Sequence, residues 1–404
     1  MGKKLVKLLI KEKLLVDKSF DYKKEIVILG KKLKKEVSLN VMYLLVTDGC
    51  NFKCAYCFED TPLLKEKFQK CHMDESVANK AIEKFGILTK KYGSAKKKHI
   101  INIYGGEPLL NKKVVYSTII KIRQDIQKGY LPKNTEIVII TNGSLITEKT
   151  AKFFATNRVN VGISIDGPQG LNNEFRIAKN SNTNPFVVAQ RGYELLKKHN
   201  VNMGISATLT PAIINNQETA LDFFINDLGV KNGMSFNILH YSPTVKIDAN
   251  YYTEAAKFLI RAFDKFRTLG LYEERMVRKA SSFISKEQIF ADCGIVGGQI
   301  IVAPDGSIGV CQDFIKPRDY FDGSVLDDEY DPVKNRLFKE WENRSPIFTA
   351  ECFGCEAIAF CGGGCPASVE LKTGNRWNID ERICPHSKLS LEWLIWDTYF
   401  NLKQ

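Results

Sequence analysis

Residues 50–57 are CNFKCAYC, and they follow directly on an apolar run at residues 42–47 that predicts a buried β-strand. The spacing places three thiols on one short loop at the end of that strand. These thiols belong to Cys50, Cys54 and Cys57. Soft thiolate ligands on a single loop suit an iron–sulfur cluster. A cubane cluster has four irons, so three cysteines leave one iron open to bind a small molecule.

From Val41 to Leu239, short β-branched runs alternate with longer stretches, a pattern that predicts successive β-α units around a parallel sheet. The predicted strands are residues 42–47, 99–104, 136–141, 160–165, 202–209 and 234–239. Helices are predicted to begin near Asp74, Asn111, Thr147, Pro185 and Asn215. Six strands are too few for a closed eight-stranded barrel. We therefore expect an α/β fold, a partial (β/α)6 TIM-like barrel with its functional edge at the carboxyl ends of the strands.

Beyond the barrel, the sequence becomes rich in glycine and cysteine. The sequence as a whole predicts five parts. An N-terminal extension covers residues 1–40 and the barrel core residues 41–250. A helical bridge at 251–290 leads to a small Cys-rich α+β domain at 291–388, and a C-terminal helix covers 389–404. The bridge contains an amphipathic stretch at residues 251–269.

The composition limits the class of protein. Lysines interrupt the apolar residues of the first 16 positions, which argues against a signal peptide or a membrane partner and predicts a cytoplasmic protein. Eleven cysteines in a reducing compartment indicate metal or redox chemistry rather than disulfides. The net charge of +12 predicts a solvated basic surface, with a basic face for an acidic peptide or nucleic acid as the alternative. For the loop at residues 50–57, the alternative is structural zinc with His72 or Cys71 as fourth ligand.

The CxxxCxxC spacing, with Tyr56 before the last cysteine, resembles the defining motif of the radical S-adenosylmethionine (SAM) superfamily. The resemblance extends strand by strand across residues 41–240. It implies that SAM binds the open iron of a [4Fe–4S] cluster and is cleaved reductively to a 5′-deoxyadenosyl radical. The residues that it implies as SAM contacts follow successive strands: Gly105, Gly106, Glu107, Pro108, Asn142, Ser164, Asp166 and Arg176.

Seven cysteines come later in the chain: Cys293, Cys311, Cys352, Cys355, Cys361, Cys365 and Cys384. Their spacing, with Gly306 before the second, resembles the SPASM domain of radical SAM enzymes. The resemblance implies two auxiliary [4Fe–4S] clusters, hence three in all. One would use Cys352, Cys355, Cys361 and Cys384, and the other Cys293, Cys311 and Cys365.

Two fully thiolate-ligated cubanes need eight cysteines, and this region supplies seven. We expect the remaining iron to be open to substrate, and the alternatives are Asp292 or Cys71 as its ligand. Taken alone, the four cysteines between residues 352 and 365 would also suit a zinc ribbon.

The resemblance implies an oxidoreductase that modifies a ribosomally synthesised precursor peptide by an oxidative crosslink, with a thioether as the candidate bond. A flavodoxin or ferredoxin would supply electrons. The first alternative is a protein oxidase of the anaerobic sulfatase-maturating type. Those enzymes place an acid directly after the cysteine that corresponds to Cys311, where this chain has Gln312, and the next residue, Asp313, is our candidate catalytic base.

The alternative of another class is a basic, Cys-rich nucleic-acid-binding protein. It would explain the charge, but the sequence carries no fold signature of a nucleic-acid-binding domain beside it. We therefore do not expect nucleic acid as a partner.

Overall fold

The computed structural model describes residues 2–11, 15–59 and 72–401. Within these residues, nine strands form one sheet in the order β6-β5-β4-β3-β2-β1-β7-β8-β9. The strands are β1 Val41–Thr47, β2 His99–Gly105, β3 Thr135–Thr141, β4 Asn160–Ser164, β5 Met203–Leu209, β6 Met234–Ile238, β7 Gln299–Val302, β8 Ser307–Gly309 and β9 Phe321–Ser324. Strands β1 to β6 pair in parallel with their neighbours in sequence. The predicted α/β class and six-stranded parallel core are confirmed.

Helices connect the parallel strands and begin where the sequence predicts. Among the described residues they are α1 Gly2–Lys11, α2 Tyr22–Lys35, α3 Glu75–Tyr92, α4 Lys112–Gln127, α5 Glu148–Thr156, α6 Gln169–Phe175, α7 Pro185–Lys198, α8 Pro211–Asn215, α9 Gln217–Asp222, α10 Tyr251–Thr268, α11 Glu274–Ser285, α12 Arg336–Trp341, α13 Ile358–Cys361, α14 Pro366–Thr373 and α15 Ile383–Asn401. Two caps show why: Thr147 Oγ1 accepts from the Thr150 amide at 3.3 Å, and Asn184 Oδ1 accepts from the Val187 amide at 3.2 Å. None of these helices is long and apolar enough to cross a bilayer.

The two faces of the parallel strands have different surroundings. Side chains such as Ile101, Ile137 and Ile139 are fully buried between the sheet and the helices. The alternate residues face the inside of the curved sheet and are only partly buried, among them Ser164 and Ser206, which lie in register on neighbouring strands. The inside of the partial barrel therefore carries polar side chains beside apolar ones such as Val138 and Ile140, and the polar groups can contact a cofactor.

The Cys-rich region is continuous with the barrel. Strand β7 pairs in parallel with β1, with Val41 opposite Gln299, and β8 and β9 extend the same sheet in antiparallel pairing. Helix α15 starts already at Ile383 and packs on α10, where the Phe263 and Trp393 rings meet edge to face at 5.7 Å. Both nitrogen-to-oxygen contacts between Arg267 and Asp397 are 2.8 Å. These contacts fix the Cys-rich region beside the open edge of the barrel.

Candidate functional site

The loop that follows β1 carries three thiols at the carboxyl edge of the sheet. Its backbone is held by the segment after α6, since the Lys53 amide donates to Ile177 at 2.7 Å and the Ala55 amide to Phe175 at 2.8 Å. The Phe52 amide donates to Cys50 Sγ at 3.3 Å. Burial raises the pKa of Cys50 to about 12, so its thiol stays protonated until a metal displaces the proton.

Two glycines at the end of β2 let the cysteine loop lie close to the sheet. A Cβ on Gly106 would overlap the carbonyl oxygen of Gly49, and a Cβ on Gly105, whose φ is +133°, would overlap that of Thr47. The Glu107 amide donates to the Gly49 carbonyl at 2.9 Å. Pro108 then opens a short 3-10 turn. Side chains at these two glycine positions would force the loop away from the sheet.

Glu107 is fully buried and joins the end of β2 to the end of β3. Its carboxylate accepts from the Leu109 amide at 3.0 Å, from Thr141 Oγ1 at 2.7 Å and from the Asn142 amide at 2.8 Å. Burial raises the pKa of Glu107, and these three donors oppose that rise. Asn142 Nδ2 in turn donates to Asn51 Oδ1 at 2.9 Å, within the cysteine loop. Glu107 therefore supports the geometry of the loop through its neighbours.

Asp166, which follows β4, is the centre of a buried polar cluster. Arg176 contacts both of its carboxylate oxygens, with Nε at 2.8 Å and Nη2 at 3.2 Å. The hydroxyl of Tyr56, from the cysteine loop, donates to the same carboxylate, and the Thr208 amide does so at 2.8 Å. Burial opposes the charge on Arg176, but Asp166 outweighs it and holds the pKa of Arg176 above its ordinary value.

The predicted SAM contacts thus gather around one loop. Gly106, Glu107, Asn142 and Asp166 contact the cysteine loop directly, and Gly105 and Arg176 contact residues bonded to it. Pro108 follows Glu107, and Ser164 ends β4 two residues before Asp166. Many hydrogen-bonding positions of Glu107, Asp166 and Arg176 are already occupied by other residues of the chain. Their roles toward SAM stay predictions.

The later cysteines form two groups. In the first, burial raises the pKa of Cys384 to about 12, and the nearby Cys361, Cys352 and Cys355 raise it further. In the second, burial raises the pKa of Cys311 well above its ordinary value, as do Asp313, Cys365 and Cys293. The two ligand sets that the SPASM resemblance implies stay predictions.

Three consecutive glycines lie between a cysteine of the first group and a cysteine of the second. Gly362, Gly363 and Gly364 have φ values of +82°, +79° and +71°, a left-handed run that other residues rarely adopt. The run lies between Cys361 of the first group and Cys365 of the second. The amide of Cys365 is fixed by a 2.8 Å hydrogen bond to Asp380, which is also paired with Arg382 at 2.7 Å. The turn therefore directs neighbouring cysteines to different sites.

The second group lines a cavity of about 260 Å³. Its thiols come from three separate elements, since Cys293 precedes β7, Cys311 follows β8 and Cys365 precedes α14. Iron–sulfur clusters are held by grouped thiolates, and the thiols here are grouped and at least partly shielded from solvent. Both the three-thiol loop after β1 and the two later groups fit such clusters.

Asp313 is buried in this cavity. Its Oδ2 lies 3.9 Å from Cys365 Sγ and 3.5 Å from His240 Nδ1. Burial raises the pKa of Asp313 to about 6 and lowers that of His240 to about 3. His240 is neutral at pH 7 and was not among the sequence-predicted site residues. Its position just after the predicted strand 234–239, at the functional edge, was the available signal.

The sequence offers two alternatives as the eighth cluster ligand, Asp292 and Cys71. Asp292 is paired with Arg278 at 2.5 Å and accepts from the Gly364 amide at 3.2 Å, so its carboxylate is engaged by other groups. Cys71 lies outside the described residues.

Part of the chain matches a known family of domains. Residues 44–224 match the model of the Radical SAM superfamily. The chain contains a radical SAM domain. SAM and a [4Fe–4S] cluster are the cofactors that such a domain implies, which favours the cluster over zinc at the first loop. The protein is an enzyme.

The similarity extends beyond the radical SAM domain. The chain is 24% identical over 376 residues to the radical SAM cyclopropyl synthase TigE of Paramaledivibacter caminithermalis, covering 88% of this chain and 74% of TigE. It is 26% identical over 367 residues to a cysteine-type anaerobic sulfatase-maturating enzyme of Clostridium perfringens, covering 81% and 88%. The structure of anSMEcpe with bound AdoMet and Cp18Cys peptide aligns with a TM-score of 0.70 at 20% identity, covering 90% of this chain and 98% of that one. The last match supports the fold.

Proposed function

We propose that this enzyme cleaves SAM reductively and uses the resulting radical to oxidise a side chain in a ribosomally synthesised precursor peptide. The observation that carries the proposal is the placement of two further groups of cysteines, partly or fully buried, beside a radical SAM domain. An oxidative modification must remove electrons from the substrate, and auxiliary clusters next to the barrel are suited to accept them. The product we expect is a crosslink, with a thioether as the candidate bond.

The cofactors would be held by distinct sets of thiols. Cys50, Cys54 and Cys57 would hold the cluster that binds SAM, and the two later groups would hold one auxiliary cluster each. When bound, the clusters would transfer electrons and SAM would supply the carbon radical. A flavodoxin or ferredoxin is the electron donor that we expect.

The chain's own residues position the reactants and exclude water. Glu107 and Asn142 fix the loop that presents the first three thiols. The pair of Asp166 and Arg176 closes the barrel edge beside Tyr56 without leaving a buried charge unpaired. Asp313 lines the cavity of the second cysteine group and is our candidate base for a substrate proton.

Peptide substrates are supported by the relatives. One is a sulfatase-maturating enzyme, and anSMEcpe has been seen with a bound peptide. The same two findings favour a second candidate, a protein oxidase of the sulfatase-maturating type. Gln312 stands where those enzymes carry an acid, and Asp313 would have to take over that role.

Mass spectrometry separates the two candidates. The enzyme would be incubated without oxygen with SAM, a reductant and either the precursor peptide encoded beside its gene or a peptide that contains a sulfatase maturation sequence. The maturase proposal predicts 5′-deoxyadenosine formation and a precursor that loses two hydrogens and resists fragmentation between two joined residues. Oxidation of a single residue, without a crosslink and only in the sulfatase peptide, would establish the second candidate.

A further inference from the structure

We propose that the imidazole of His240 supplies the fourth protein ligand of the cluster site formed by Cys293, Cys311 and Cys365. The inference rests on the auxiliary cluster in the proposed function, and it replaces the expectation that one iron of this cluster is open. A nitrogen ligand at this position is not predicted by any cysteine pattern in the sequence.

The position of His240 is the first argument. It comes two residues after β6 ends, which brings it from the barrel to the wall of the cavity that contains all three cysteines. The ligand atoms of His240, Asp313 and Cys365 all lie within 4.8 Å of one another. A barrel residue and the Cys-rich region thus converge on one small site.

The second argument is an unused nitrogen. His240 Nδ1 is buried and has no hydrogen-bond partner among the described residues. A buried polar atom without a partner is costly and usually indicates a ligand or a catalytic role. The neutral imidazole nitrogen is a good ligand for iron, and histidine replaces cysteine on one iron in Rieske clusters.

Three other groups near these cysteines, Asp292, Gln299 and Asp313, are less suited to the position. Asp292 is held by Arg278, and Gln299 donates to the Val310 carbonyl at 3.0 Å while its Oε1 stands 4.0 Å from Cys293 Sγ. Asp313 would add a further negative charge to three thiolates. Its Oδ2 lies 3.5 Å from His240 Nδ1, beyond the usual length of a hydrogen bond, so this nitrogen stays available to iron.

The imidazole ring of His240 also contacts an aromatic ring of the barrel. Phe58 packs against His240 with a centroid distance of 5.4 Å and an angle of 31° between the rings. Phe58 directly follows Cys57, the last thiol of the SAM-cluster loop. His240 thus contacts the residue next to the first cysteine loop, and its ligand role would connect that loop to the auxiliary site.

The test is hyperfine spectroscopy on protein that carries ¹⁵N-labelled histidine. The parent protein is the Cys50→Ala/Cys54→Ala/Cys57→Ala variant, because without the first cluster no signal from bound SAM interferes. Its auxiliary clusters would be reconstituted and reduced, and nitrogen couplings recorded by pulsed electron paramagnetic resonance. We expect a directly bound histidine nitrogen, whose coupling changes with the label.

Two added substitutions make the assignment specific. His240→Leu should remove the coupling and shift the potential of one auxiliary cluster. His199→Gln, at a partly buried histidine that caps the end of α7 and is bonded to Glu148, should leave both unchanged. A full iron content without histidine coupling would overturn the ligand assignment and leave the proposed function standing. If the protein binds no cluster at Cys293, Cys311 and Cys365, both the ligand assignment and the proposed function are overturned.

Discussion

Arg176 and Asp166 form a two-point ion pair at the edge of the barrel, with nitrogen-to-oxygen distances of 2.8 and 3.2 Å. Arg176 is 8% exposed and Asp166 is fully buried. The pair also receives Tyr56 from the cysteine loop, so it joins the segment after β4 to the site where the first cluster would bind. We therefore expect the ion pair to stabilise the folded chain.

Asp166→Asn should therefore be strongly destabilising, because it leaves the Arg176 charge buried without its counter-ion. We expect a loss of roughly 3–5 kcal/mol in the free energy of unfolding, measured by anaerobic chemical denaturation. The matched control is Glu381→Gln, which removes one partner of the exposed Lys372 pair and should cost under about 1 kcal/mol. Equal stability of the two variants would refute the structural role of the buried pair.

Gly106→Ala should weaken the first cluster site, because its Cβ would overlap the Gly49 carbonyl and displace the cysteine loop. We expect a lower iron content and at least a several-fold weaker binding of SAM, measured by calorimetry without oxygen. Gly170→Ala is the control, since a Cβ there meets nothing within 4 Å. If both alanine variants bind SAM like the wild type, the close approach is not needed.

The two later groups of cysteines should lose their metal independently. Cys384→Ala should remove the cluster of the first group and Cys311→Ala that of the second, each with about four irons per chain. Iron and sulfide analysis of the two variants and of the double variant tests this, and the double variant should retain only the SAM-binding cluster. Loss of both auxiliary clusters in either single variant would mean that the groups form one site.

Glu273 should make stability depend on pH. Burial raises its pKa to about 7 from an ordinary value of 4.5, although the amides of Met276, Arg275 and Phe236 oppose the rise. The folded chain keeps this proton up to about pH 7, whereas the unfolded chain loses it near 4.5. The stability that the proton provides is therefore fully present below pH 4.5 and is lost as the pH rises through 7.

Against the Glu273→Gln variant, the wild type should lose about 3 kcal/mol of unfolding free energy between pH 4 and 8. Denaturation curves of both proteins across this range measure the difference. A difference that does not change with pH would show that Glu273 is ionised in the folded chain.

Much of the barrel was predictable because its signals are local. The apolar runs set the strands, and the residues at Thr147 and Asn184 cap the helices with their own side chains. The cysteine loop was predictable for the same reason, since three ligands fall within eight consecutive residues. Neither inference needs knowledge of distant contacts.

The remaining features depend on distant parts of the chain. The pairing of β7 with β1 joins residues that are far apart in sequence, so the Cys-rich region could not be placed on the barrel sheet beforehand. The Asp166 contact with Tyr56 depends on how two loops meet. His240 could not be selected because its nearness to Cys365 arises only when β6 and the segment before α14 come together.

The most direct test of the central claim is the reductive cleavage of SAM by the purified, anaerobically reconstituted protein, with 5′-deoxyadenosine measured by chromatography. The wild type should form 5′-deoxyadenosine with a low-potential reductant. The Cys50→Ala/Cys54→Ala/Cys57→Ala variant should form none while its auxiliary clusters stay visible by electron paramagnetic resonance. Cleavage that persists in this variant, or a wild type that binds zinc instead of iron after reconstitution, would contradict the account.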